Sequence, residues 1–147
     1  MYGKIMVAVD GSKNADLALA EAVQIAMACG SEIAVVHVID NSYLKCNPLF
    51  IGTDELHTAL RADGEALLKA ACDLVEAQDI PCTTRLIDEP AAMGDISTVV
   101  EQAAQEGCAE LLVIGTHGRH GMHRLLLGSV AEGLVHHTKL PVLLVRA

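Results

Sequence analysis

The sixteen residues from Gly115 to Val130, GTHGRHGMHRLLLGSV, hold four glycines, three histidines and two arginines, and no carboxylate. A backbone that carries glycine at short intervals can bring its N–H groups close to an anion, because no Cβ stands in the way. Gly115 and Gly118 supply one such segment. Gly128 and Ser129 supply a second, at a predicted helix start, where N–H groups are unpaired and the helix dipole is positive. The Ser129 hydroxyl adds a donor, and Arg119 and Arg124 on the intervening loop add charge. Together these are the parts of a phosphate cradle. The spacing is G-x-x-G, nine residues, then G-S, which is neither the dinucleotide fingerprint G-x-G-x-x-G nor the P-loop G-x-x-x-x-G-K-[ST]. His117, His120 and His123 recur at every third residue. With no cysteine or carboxylate in the same loop, they read as solvated or ligand-facing side chains, and no metal centre is expected.

The cradle sits in an acidic chain. The formal net charge is -9, yet it is unevenly spread: residues 1–110 carry six Lys/Arg against eighteen Asp/Glu, whereas residues 111–147 carry four against the single acid Glu132. An acidic body disfavours nucleic acid as a partner, and a locally cationic C-terminal quarter favours a small bound anion. A length of 147 residues suits one domain, spanning 1–147, with a full core. With two Tyr, one Phe and no Trp, that core must be built from Ala, Val, Leu and Ile. No apolar run reaches the roughly 18–20 residues needed to span a bilayer. The opening MYGKIMVAVDGS enters a strand pattern at once instead of reading as a signal peptide. A cytoplasmic location without a membrane partner is therefore expected. The five cysteines, at positions 29, 46, 72, 82 and 108, form no C-x-x-C pair and are read as reduced thiols.

The elements that position the cradle follow from the apolar pattern. KIMVAVD, EIAVVHVID (32–40), PCTTRLID (81–88), ELLVIG (110–115) and PVLLV (141–145) are short Val/Ile/Leu-rich strands. The third alternates more and belongs nearer a sheet edge. Between them lie four helices. The first is capped by Ser12, carries Leu19, Val23, Ala26 and Met27 on one face, and ends at Gly30. The second runs from Thr53 to about Gln78, with Leu56, Leu60, Leu67, Ala71 and Leu74 facing inward. The third starts between Ala91 and Asp95, uses Ile96, Val99, Val100 and Ala103, and stops at Gly107; the fourth spans Gly128 to His137. The order βαβαβαβαβ predicts a single doubly wound α/β fold, Rossmann-like, with a parallel sheet and helices on both faces. In such a sheet ligands bind beyond the carboxyl ends of the strands. That singles out Asp10, Val38 to Asp40, Asp88 and the loop from Gly115.

Gly115, Gly118, Gly128 and Ser129 match the nucleotide-binding signature of the universal stress protein family, which the chain resembles over its whole length: KIMVAVDGS, VVHVID, LLVIGTHGRHG and LLGSVAEGLVHHTKLPVLLV all look like their family counterparts. The resemblance implies a five-stranded sheet of order 3-2-1-4-5, a homodimer formed through the last strand, and binding of ATP with Mg. It implies that Asp10 and Val38 contact the adenine end, while the G-x-x-G and G-S elements hold ribose and phosphates. Ala8, which stands where ATP-binding relatives often carry proline, and Thr116, Arg119 and Val130, which flank the signature residues, complete the expected site. The residues themselves also argue for pairing of copies, since PVLLV at a sheet edge would leave an apolar strand with an unpaired ladder. The expected function is an ATP-binding regulatory protein of the stress response, with at most weak ATPase activity because no dedicated base and metal set accompanies the cradle. The alternative is a dimeric interaction module with no nucleotide, or with another adenine nucleotide. Synthetase and oxidoreductase readings fail because the first turn, DGSKNA, has a single glycine. A phosphoacceptor reading fails because Asp10 stands alone and Lys139 precedes its strand.

Overall fold

The computed structural model describes residues 1–41, 53–88, 95–117 and 127–146. Nine elements follow in the expected alternation: β1 (Lys4–Ala8), α1 (Lys13–Cys29), β2 (Glu32–Val38), α2 (Thr53–Glu76), β3 (Cys82–Ile87), α3 (Ile96–Glu106), β4 (Leu111–Gly115), α4 (Ser129–His137) and β5 (Val142–Val145). The strands form one parallel sheet of order β3-β2-β1-β4-β5. β1, β2 and β4 are thus central, and β3 and β5 are the edges. Among the described residues no helix is long and apolar enough to cross a membrane.

Successive side chains of a strand point to opposite faces, and the sheet uses both. Ile5, Val7, Ile33, Val35 and Val113 pack under α1 and α2, whereas Met6, Ala34, Val36, Leu112 and Ile114 pack under α3 and α4. This is why the central strands read as unbroken apolar runs. The inner face of α1 is almost all alanine (Ala15, Ala18, Ala22 and Ala26, with Leu19), so this helix lies close to the sheet. Ser12 caps it, its Oγ accepting the Ala15 N–H at 3.2 Å, and Gly30 ends it in the left-handed region at φ 68°. Asp95 caps α3 in the same manner. β5 is half-buried along its whole length, as an edge strand with one covered face is.

Two helix faces match expectation in part: Leu19 and Ala26 on α1 and Ala71 on α2 are buried as expected, and others are not. Met27, expected inward on α1, is 55% exposed. On α2, Leu56 and Leu74 are exposed, while Leu68, Ala71 and Val75 are buried. Two apolar stripes compete along α2, offset by one residue, and leucine count favours the wrong one. Gly64 decides between them. A Cβ there would sit 2.7 Å from His37 Cδ2 and 2.8 Å from Leu86 Cδ1, so the glycine line, not the Leu67–Leu74 line, lies against β2 and β3.

Candidate functional site

The carboxyl ends of three adjacent strands meet at one edge of the sheet: Val38 on β2, Ala8 and then Asp10 on β1, Gly115 and then Thr116 on β4. β1 closes its end against β2 through the Val9 N–H, which donates to Val36 O at 2.9 Å. Beyond it the chain turns sharply. Gly11 is in the left-handed region at φ 81°, and Asp10 Oδ1 accepts the Ser12 N–H at 2.9 Å. Asp10 is thereby held, half-buried, at the mouth of the central strand. Val38 is half-buried beside it, at the last residue of β2.

The two segments of the cradle are joined directly. The Gly128 N–H donates to Thr116 O at 2.6 Å, and the Thr116 N–H donates to Val145 O at 2.9 Å. Thr116 is buried, and its hydroxyl shares a 3.1 Å hydrogen bond with His117 Nδ1. Gly128 is the N-cap of α4, with φ -63° and ψ 158° and no side-chain cap. The first intrahelical bond is from the Glu132 N–H to Gly128 O, at 2.9 Å. The N–H groups of Ser129, Val130 and Ala131 therefore have no acceptor within the helix. Ser129 is exposed and Val130 half-buried. Glu132, in the same turn, is directed along the helix to His136, 3.9 Å away. Among the described residues, then, the start of α4 has unpaired donors and no capping oxygen. His117 Nε2 is a further buried nitrogen with no hydrogen-bond partner among them. Gly118 and Arg119, also expected in the site, lie outside the described residues, as does Arg124.

Gly115 has a packing use besides the one its place in the motif suggests. A Cβ on it would lie 2.8 Å from both the carbonyl carbon and the Cβ of Asn14. The missing side chain accommodates the first turn of α1, which crosses the end of β4. It serves helix–strand packing, whatever its backbone offers a ligand.

Sequence reasoning missed a polar cluster at the β2/β3 end of the same edge. Asp88, one residue past β3, has its Oδ2 held by His57 Nε2 and Arg61 Nη1, each at 2.7 Å, and its Oδ1 by Asn41 Nδ2 at 3.3 Å. The sequence carries two separate signals, Asp88 at the carboxyl end of its strand and the i, i+4 spacing of His57 and Arg61, which places both on one face at the start of α2, but nothing that joins them. Burial pushes the Asp88 carboxyl up, but the hydrogen bonds from His57, Arg61 and Asn41 outweigh it and hold the group below the usual carboxylate range. A depressed carboxyl stabilises the fold above its unfolded value of about 3.9 and loses that contribution as pH falls through its folded value. His57 and Arg61 are 39% and 45% exposed, so screening keeps the effect to about 1 kcal/mol or less. The wild type is therefore expected to lose stability between about pH 4 and pH 2 to a greater extent than Asp88→Asn. Urea midpoints at pH 6 and pH 3 measure this, and parallel losses in the two proteins would contradict it.

Cys72 and Cys82 lie together between α2 and β3, the Cys72 thiol 4.0 Å from Cys82 O. Burial raises both, Cys82 to about 12, which disfavours their thiolate forms. A hollow of about 370 Å³ opens beside them, lined by Lys69, Cys72, Asp73 and Thr84 among others. It is flanked by the helix and the edge strand, with no convergent donors like those at the strand ends.

A model of the Universal stress protein family matches residues 1–146. A universal stress protein of Thermus aquaticus is 31% identical over 146 residues, covering 99% of this chain and 100% of its own. The crystal structure of a family protein from Burkholderia pseudomallei, 29% identical, superposes with a TM-score of 0.79 over 99% of this chain and 97% of its own. Two further structures share the fold at a TM-score of 0.67. One is a universal stress protein in complex with cAMP, 24% identical over 99% of this chain and 97% of its own. The other, from Archaeoglobus fulgidus, is in complex with dAMP, 22% identical over 98% of each chain. With a family model matched over residues 1–146 and a sheet of order β3-β2-β1-β4-β5, the chain belongs to the universal stress protein family.

Proposed function

We propose that this protein binds ATP, with Mg, as a cytoplasmic regulatory protein of the stress response, and that it hydrolyses the nucleotide weakly if at all. The observation that carries the reading is the uncapped start of α4, bonded through Gly128 to Thr116 at the end of β4, on the same sheet edge as Asp10 and Val38. Unpaired N–H groups at the positive end of a helix dipole suit phosphate oxygens. In this arrangement Ala8, Asp10 and Val38 take the adenosine end. Gly115, Thr116, Gly118, Arg119, Gly128, Ser129 and Val130 take the ribose and phosphates, with the Ser129 hydroxyl and the phosphate oxygens holding Mg. The cAMP and dAMP complexes of two proteins of this fold support an adenine nucleotide. The half-buried β5 edge supports a homodimer.

The test is direct. Purified protein is denatured and any released nucleotide identified by mass spectrometry; ATP, ADP, AMP and cAMP are then titrated by calorimetry. ATP is expected to bind most tightly. If no adenine nucleotide is released and none binds at millimolar concentration, the reading fails and an interaction module without nucleotide takes its place. Light scattering at micromolar concentration is expected to give twice the chain mass, and a monomer mass contradicts the pairing of β5.

A further inference from the structure

We propose that Asp88 is a positioning residue for the base end of the nucleotide site: its carboxylate clamps the start of α2 to the exit of β2 and so sets the wall against which the base lies. The inference rests on the nucleotide reading above and assigns to that site a residue that touches no ligand.

The argument starts from the exit of β2. Val38 is paired with Ile87, and the Ile39 N–H donates to Ile87 O at 2.9 Å. One residue further along β3, Asp88 Oδ1 accepts from Asn41 Nδ2 at 3.3 Å. Two ties therefore bracket Asp40, one through backbone and one through side chains, and Ile39 and Asn41 are both buried. The other oxygen of Asp88 is held by His57 and Arg61, so the same carboxylate that fixes residues 39–41 also fixes the first turns of α2. A second link runs from α2 to β1. Gly64 lets the helix lie against His37, and His37 Nδ1 donates to Val9 O at 2.7 Å, one residue before Asp10. Both links end beside residues assigned to the base: the first at Ile39 and Asn41, just past Val38, and the second at Val9, between Ala8 and Asp10. The phosphate half is fastened separately, by Gly128 to Thr116 and Thr116 to Val145. Loosening Asp88 should thus disturb one half of the site and spare the other.

This predicts a change in selectivity between bases, which general destabilisation would not produce. ATP and inosine triphosphate share ribose and phosphates and differ in the base. In calorimetric titrations of the full chain, Asp88→Asn is expected to weaken ATP binding about tenfold while changing inosine triphosphate binding less than about twofold, so that the preference for adenine collapses. His57→Gln and Arg61→Met, each removing one of the two α2 bonds, are expected to give intermediate ratios, and they carry the comparison if Asp88→Asn does not fold. Equal weakening of both nucleotides would reveal a merely structural role and overturn the proposal. An unchanged ratio, or a wild type that does not distinguish the two nucleotides, would also overturn it while leaving the nucleotide reading standing. A wild type that binds neither nucleotide would overturn both.

Discussion

Replacing Gly128 with aspartate is expected to stabilise α4 and to weaken nucleotide binding about a hundredfold. Gly128 has φ -63° and ψ 158°, an extended conformation open to any residue, and it caps α4 with no side-chain oxygen. An aspartate there can accept the N–H of Val130 or Ala131. Capping and the favourable dipole together give about 0.5–1 kcal/mol. The same oxygens would occupy the donors assigned to phosphate and place a negative charge against it, at a cost of about 3 kcal/mol, or roughly a hundredfold in affinity. Urea denaturation is expected to show a midpoint at or above that of wild type, and calorimetry an ATP affinity about a hundredfold lower. Gly128→Ala adds neither oxygen nor charge and controls for bulk. Retained ATP affinity in Gly128→Asp would remove the α4 start from the binding site.

Replacing Gly115 with alanine is expected to act in the opposite way, on the fold first. The added Cβ would lie 2.8 Å from two Asn14 atoms, one of them backbone, and 3.0 Å from Asn14 O. Nothing flexible can yield there, because Asn14 is in the first turn of a helix capped by Ser12 and packed on alanines. Overpacking of this kind costs about 1–3 kcal/mol. The urea midpoint is expected to fall accordingly, and a loss below about 0.5 kcal/mol would show that α1 shifts freely. Packing alone thus constrains Gly115, whatever else it does, whereas the proposed role of Gly128 rests on the donors of α4.

That division was not visible in the motif. The spacing of Gly115, Gly118, Gly128 and Ser129 is readable because it is local, and the Val/Ile/Leu runs are readable because central parallel strands are buried on both faces. All nine elements followed from those patterns, and strand order followed from the family likeness. What stayed hidden depends on contacts between distant residues. The rotation of α2 is fixed by Gly64 against His37 and Leu86, and a stripe of leucines in one helix cannot reveal that. The Asp88 cluster joins positions 41, 57, 61 and 88, of which only Asp88 stood out locally, as a residue at a strand's carboxyl end. The packing role of Gly115 depends on where α1 starts, a hundred residues earlier.

Thr116 has one more consequence. Its N–H is committed to β5 and its carbonyl to the start of α4, so a single buried residue is the hinge pin between the proposed subunit edge and the proposed phosphate donors. If a ligand draws the α4 start toward itself, the pull reaches Val145 through two hydrogen bonds and no side-chain rearrangement. Linkage makes such coupling reciprocal. Any partner that grips β5 more firmly in one position of α4 must alter the affinity for nucleotide by the same factor by which nucleotide alters its own.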